Sequence, residues 1–339
     1  MGRERIPGDS NLSHPRPKVV VIAGPTGVGK TRLGVALAQR FQGEVINADS
    51  RYLYRGFTIG TAKPSPDEQA GVPHHLIDIL APDDDFSLAR FQKLANAAIA
   101  DVTRRGHLPL LVGGTPLYIN AVIEGWRIPQ VPPHPEIRSR LETEAENLGI
   151  EHLAARLAAI DPVAAERCGV NLRRIIRALE IHEVTGERMS DLEGKGPRPY
   201  DTLEIGLTAP RDWLHAAIDR RVDDQIAGGL VDEARGLLDT GVSPDAPAFS
   251  SIGYRQLLPV FQDDMLLPDA IDRIKYDTRR YVRHQQTWLR ANKRLIRIDV
   301  AEPDWLERAT ELTRAFLAAP DPDPSGRGME SPDLQRETL

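Results

Sequence analysis

Three features of the 339-residue sequence predict an α/β fold, a parallel sheet interrupted by an inserted helical domain. Strand-like apolar runs alternate with helix-like segments toward both ends of the chain, as they do where helices cover a parallel sheet. A glycine-rich turn joins the first such run to the first helix. Between residues 126 and 198 the strand pattern stops, and charged, Ala- and Leu-rich helices replace it.

The elements follow in order. Residues 1–17 and 320–339 are polar tails, too poor in apolar residues to fold. "KVVVIA" (18–23) is a continuous apolar run suited to a strand buried on both faces. "TRLGVALAQRF" reads as a helix and "GEVINAD" as the second strand. "FSLARFQKLANAAIADVTRRG" reads as a helix stopped at Gly106, and "LPLLVGG" (108–114) as the third strand. The helical insert, 126–198, contains no strand-like run. "LEIGLTA" (203–209) and "LIRIDV" (295–300) return to the sheet, so 18–125 and 199–319 form one core.

The helix "DRIKYDTRRYVRHQQTWLR" is amphipathic. Ile274, Tyr281 and Trp288 recur every seven residues, with Thr278 and Gln285 between them, as a buried seam. Arg279, Arg283, Gln286 and Arg290 make the opposite stripe.

A content of 41% hydrophobic and 27% charged residues is that of a soluble globular protein. No apolar run approaches the roughly 18 residues of a membrane helix, and the N-terminus lacks the apolar core of a signal peptide. A single cysteine, Cys168, excludes an internal disulfide framework and a Cys-based zinc site. A soluble, cytoplasmic protein is expected. The net charge of −6 argues against nucleic-acid binding by the chain as a whole. Residues 273–297, however, hold nine Lys or Arg against one acid, Asp277, and a local patch decides binding to a polyanion.

"GPTGVGKT" fits G-x-x-x-x-G-K-[ST] over Gly24, Pro25, Thr26, Gly27, Val28, Gly29, Lys30 and Thr31. Backbone N–H groups of such a loop point at phosphate oxygens, the lysine adds charge, and the Thr31 hydroxyl is offered to Mg²⁺. The fold class is therefore P-loop NTPase-like. The strand "PLLVGGT" ends in two glycines and Thr115, where an NTPase would carry a metal-positioning Asp. "EVINADS" does end in an acid, Asp49, at the crevice side of a parallel sheet. A turn-capping Asp is its rival explanation. His74 and His75 are adjacent, diverge, and lack a ligand cluster, so a structural role is expected.

Seven blocks occur in one order: "GPTGVGKT", "INADSRYLYRGFTIGTAKP", "GVPHHLIDI", "PLLVGGTPLYINAVI", "NLRRIIRALEIHEVTG", "SSIGYRQL" and "TRRYVRHQQTWLR". Over about 18–300 the chain resembles the tRNA dimethylallyltransferase family. That resemblance implies transfer of the five-carbon group of dimethylallyl diphosphate to N6 of adenosine 37 in the tRNA anticodon stem-loop. Diphosphate is released with Mg²⁺ as cofactor, and the protein is expected to be a monomer.

By the same resemblance Lys30 and Arg221 neutralise the departing diphosphate, Asp49 is the base, and Thr115 positions the reactants. Asp49, Ser50, Arg51 and Tyr52 would meet the target nucleotide, with Tyr52 standing where many relatives carry Gln. Further tRNA contacts would come from Thr115, Arg138, Arg173, Arg174 and Arg177. So would Ser250, Ser251, Ile252, Gly253, Tyr254 and Arg255. The basic helix would add Arg279, Arg283, His284, Gln285, Gln286, Thr287, Trp288, Leu289 and Arg290. On the residues alone, three other activities stay open: a P-loop kinase holding ATP, a transferase acting on free adenine nucleotides, and an RNA-binding module. The kinase leaves the basic helix unused.

Overall fold

The structure is a computed structural model that describes residues 16–320. Of the tails expected at 1–17 and 320–339, residues 1–15 and 321–339 lie outside the described residues. The strands are β1 (Lys18–Ala23), β2 (Gly43–Asn47), β3 (His74–His75), β4 (Leu108–Gly113), β5 (Trp126–Arg127), β6 (Gly194–Lys195), β7 (Asp201–Thr208) and β8 (Ile296–Asp299). Six of them form one sheet in the order β3-β2-β4-β1-β7-β8, and every pairing within it is parallel.

Burial on both faces explains the unbroken apolar runs. Val19, Val21 and Ala23 of β1 pack with Phe91, Ala95 and Ile99 of the helix Leu88–Arg104 on one face. Val20 and Ile22 pack on the other face with Leu33 and Leu37 of the helix Lys30–Phe41. Gly43 starts β2 because a Cβ there would lie 2.8 Å from the Leu108 carbonyl oxygen.

Four helices, Pro135–Leu148, Ile150–Ile160, Pro162–Cys168 and Leu172–Thr185, surround a core of their own that includes Leu141, Leu153, Leu157, Ile175 and Leu179. The expectation of a strand-free insert is corrected in one detail. β5 and β6 pair antiparallel and close the neck where the chain leaves and rejoins the sheet. Two-residue strands leave no periodicity to read.

The insert is pinned by one buried carboxylate. Glu180 accepts hydrogen bonds from Arg138 Nε (2.8 Å), Arg177 Nη1 (2.7 Å) and the His134 backbone N–H (2.7 Å). Burial opposes its ionisation, but Arg138, the His134 N–H and Arg177 outweigh that and hold its pKa at about 2. Glu180→Gln should therefore destabilise the insert by about 3 kcal/mol, because two guanidinium groups lose their counter-charge. Urea unfolding checks this. A midpoint unchanged from wild type would show that the arginines are satisfied by solvent.

His75 has the structural part expected of it. Its Nε2 lies 2.6 Å from Glu44, a buried acid also bonded by Arg105 and His107. Arg105 is the largest cause holding the Glu44 carboxyl well below its ordinary range.

Candidate active site

The phosphate-binding loop leaves β1 at Ala23 and enters the helix Lys30–Phe41 at its first residue. Gly27 (φ 82°) and Gly29 (φ 98°) adopt left-handed backbone that L side chains resist. Gly29 is the N-cap of that helix, so its unpaired N–H groups and positive dipole end face the loop. Lys30 Nζ donates to the Pro25 carbonyl at 2.9 Å. Burial, partly countered by Asp49 and reinforced by Arg221, lowers the Lys30 pKa to about 8.

The ends of β2 and β4 lock together beside this loop. Thr115 N–H donates to Ala48 O (3.2 Å), and Ser50 N–H donates to Thr115 Oγ1 (3.1 Å). A Cβ on Gly113 would come within 2.2 Å of the Ala48 backbone, so only glycine lets the strands approach this closely. The Gly-Gly that stands in place of a metal-positioning Asp therefore brings Thr115 to Asp49. Asn47 fixes the Asp49 backbone from both sides, accepting its N–H (2.8 Å) and donating to its carbonyl (2.9 Å).

Asp49 Oδ1 accepts the Arg51 N–H at 2.9 Å. The turn-capping role is thus real, yet the residue also lines a cleft of about 500 Å³. The two explanations are compatible, because a carboxylate has lone pairs for a cap and a substrate proton.

The helix Arg211–Ala227 forms another wall. Arg221 donates to Thr61 O at 2.9 Å and also lines the cleft. One turn earlier Ala217 sits 3.9 Å from where a Cβ on Gly27 would stand, so the helix packs directly on the loop. Tyr52 donates to Ala62 O at 2.8 Å, and burial pushes its hydroxyl pKa up to about 12. It is a neutral donor, tied to the wall beside Arg221.

The helix Leu267–Ala291 closes the cleft with Arg280, Tyr281 and His284. Tyr281 was expected in the buried seam; instead it borders the cleft. Burial raises its hydroxyl pKa to about 12, with Asp49 adding to the shift, so it is a hydrogen-bond donor at neutral pH. A seven-residue repeat marks a face turned inward, and a cleft wall satisfies it as well as a core does.

A family model described as IPP transferase matches residues 52–292. A tRNA dimethylallyltransferase of Thermomicrobium roseum is 52% identical over 324 residues, covering 94% of this chain and 98% of that one. One from a Roseiflexus species is 49% identical over 302 residues, covering 89% and 99%. The chain belongs to the IPP transferase family. Among solved structures, the full-length tRNA isopentenylpyrophosphate transferase of Bacillus halodurans is 41% identical with a TM-score of 0.68, covering 89% of this chain and 97% of that one. A eukaryotic dimethylallyltransferase described as acting on tRNA has a TM-score of 0.77 at 28% identity, covering 91% and 81%.

Against this family's pattern the structure redistributes several expected tRNA contacts. Gly253, Tyr254, Gln285 and Leu289 are buried and present no side-chain surface to RNA, and Ser251 is 2% exposed. Tyr254 packs in the main core and donates its hydroxyl to Glu233. Arg138 and Arg177 serve Glu180. Arg279 is bonded to Asp219 of the neighbouring helix and Lys275 to Asp223. The acids that balance these cations come from another part of the chain. Arg173, Arg174, Ser250, Arg255, Arg283, His284, Thr287 and Arg290 remain exposed, and Ile252, Gln286 and Trp288 are half-buried.

The basic stripe accordingly shrinks to Arg283 and Arg290. Replacing both with Gln should flatten the log–log salt dependence of RNA binding by roughly 1.4–1.8, at about 0.7–0.9 per lost phosphate contact. Arg279→Gln should leave that slope alone and lower stability. A slope insensitive to the double substitution would return these residues to a solvated face.

Proposed function

We propose that this chain transfers the dimethylallyl group of dimethylallyl diphosphate to N6 of adenosine 37 in tRNA, releasing diphosphate. One observation carries this: a phosphate loop opens into the same cleft as a strand-end carboxylate, and the cleft's far wall is the basic helix. A kinase would need the loop but not that wall. The chain is read as acting in the cytoplasm, as a monomer.

The chemistry follows from the parts. The adenine exocyclic amine is a weak nucleophile because its lone pair is delocalised into the ring. Asp49 accepts its proton as the N6–C bond forms and the allylic C–O bond breaks. Lys30, Arg221 and the loop N–H groups take the charge that grows on diphosphate. Tyr281 presents its hydroxyl to the cleft, and Thr115 positions the reactants by holding the Ser50 backbone next to Asp49.

Mg²⁺ fits one donor here. Among the described residues no cluster of three His, Cys, Asp or Glu could hold a metal. A magnesium ion on diphosphate needs only one or two protein ligands, since phosphates and water complete its shell. The Thr31 hydroxyl would be that ligand, and the ion would spread the leaving group's charge.

The lowered Lys30 pKa sets a pH dependence. The ammonium binds diphosphate, and above about pH 8 the free protein loses that proton. Binding must then restore it, so diphosphate affinity should fall as pH rises past 8, by up to tenfold per unit. Proton uptake should appear as a buffer-dependent binding enthalpy at pH 8–9. An affinity flat to pH 9.5 would contradict it.

Thermal protection tests the substrate. Dimethylallyl diphosphate with Mg²⁺ should raise Tm more than ATP does at equal concentration; protection by ATP alone would favour the kinase.

A further inference from the structure

Gln285 lies on the helix that bears the exposed arginines, yet it is 3% exposed and turned toward the sheet. Its Oε1 accepts the Thr26 N–H at 2.9 Å, and its Nε2 donates to the Gly114 carbonyl at 2.8 Å. One side chain thus spans the phosphate loop, the end of β4 and the basic helix. Gly114 is shaped to it: a Cβ there would stand 2.5 Å from Gln285 Nε2 and 3.4 Å from Lys30 Nζ. The Thr26 N–H, being taken, is not among the donors the loop can turn to a ligand. It anchors the loop's leading edge instead.

Resting on the proposed transferase function, we infer that Gln285 is a positioning residue for the diphosphate site rather than an RNA contact. It holds the loop in its ligand-ready shape from the helix behind it. Both of its bonds run between buried or half-buried groups, so each lost partner leaves an amide that cannot turn to water.

The test uses the full chain and two probes, inorganic pyrophosphate with Mg²⁺ and an anticodon stem-loop RNA. Gln285→Met keeps the length and packing of the side chain and removes both bonds. Gly114→Ala drives the amide away without altering Gln285. Each should weaken pyrophosphate binding by ~10-fold and raise the KM for dimethylallyl diphosphate similarly. Stem-loop affinity should stay within about twofold. The double variant should be no worse than either single one, because both remove the same interaction.

Unchanged pyrophosphate affinity in either folded variant would overturn the inference. So would additive losses, or an equal loss of stem-loop affinity. If the wild-type chain bound pyrophosphate but transferred no prenyl group, the proposed function would fail while the role of Gln285 at the loop survived.

Discussion

Asp49→Asn is expected to leave a stable protein that binds both substrates and transfers almost nothing. Asparagine keeps the side-chain size and an Oδ1 to accept the Arg51 N–H, so the turn after β2 survives. The Asn47 bonds hold the Asp49 backbone and do not depend on its side chain. What is lost is the capacity to take a proton from the adenine amine. The chemical step should slow by about 10²–10⁴, or ~3–5 kcal/mol of barrier. Single-turnover transfer at saturating substrates measures this, with Tm recorded alongside. Near-normal turnover would remove Asp49 as the base. A large fall in Tm would show that the carboxylate's work is capping.

Lys30→Ala is expected to abolish most transfer while sparing RNA binding. The ammonium sits inside the loop, bonded to Pro25 O. Removing one such preorganised charge from a leaving group typically costs about 10²–10³ in rate. Because a half-buried cation whose charge the surroundings disfavour is removed as well, the variant should be no less stable than wild type at neutral pH. Its burial lowers the lysine pKa, so the cost of holding the ammonium is present below pH 8 and fades as pH rises toward its unfolded value. Filter binding of the stem-loop and rapid-quench transfer separate the two effects. Lost RNA affinity with intact single-turnover chemistry would move Lys30 out of the diphosphate site.

Much of this site could be read from sequence because its parts are local. The loop's glycines, Lys30 and Thr31 occupy fixed spacings, and β1 and β4 are largely apolar runs because helices cover both faces. Asp49 and Thr115 are strand ends, which a parallel sheet brings to one edge. What escaped were pairings between distant segments. Asp219 lies 60 residues from Arg279, and Glu180 lies 42 from Arg138. A charge count along one helix cannot see either. Nor does periodicity tell a cleft wall from a core, so the seam position of Tyr281 turns out to border the cleft. Gln285 is buried, as its place in the seven-residue seam implies, but its bonds to Thr26 and Gly114, which lie far away in sequence, leave no mark in that spacing. The short strands β3, β5 and β6 owe their form to neighbours rather than to their own residues.

The most direct measurement is mass spectrometry of nucleosides from a tRNA anticodon stem-loop incubated with the full chain, dimethylallyl diphosphate and Mg²⁺. One adenosine, at position 37, should gain a single five-carbon prenyl group on N6, with one diphosphate released for each. Unmodified RNA in the presence of both bound substrates, or a phosphorylated product when ATP replaces the allylic diphosphate, would contradict it.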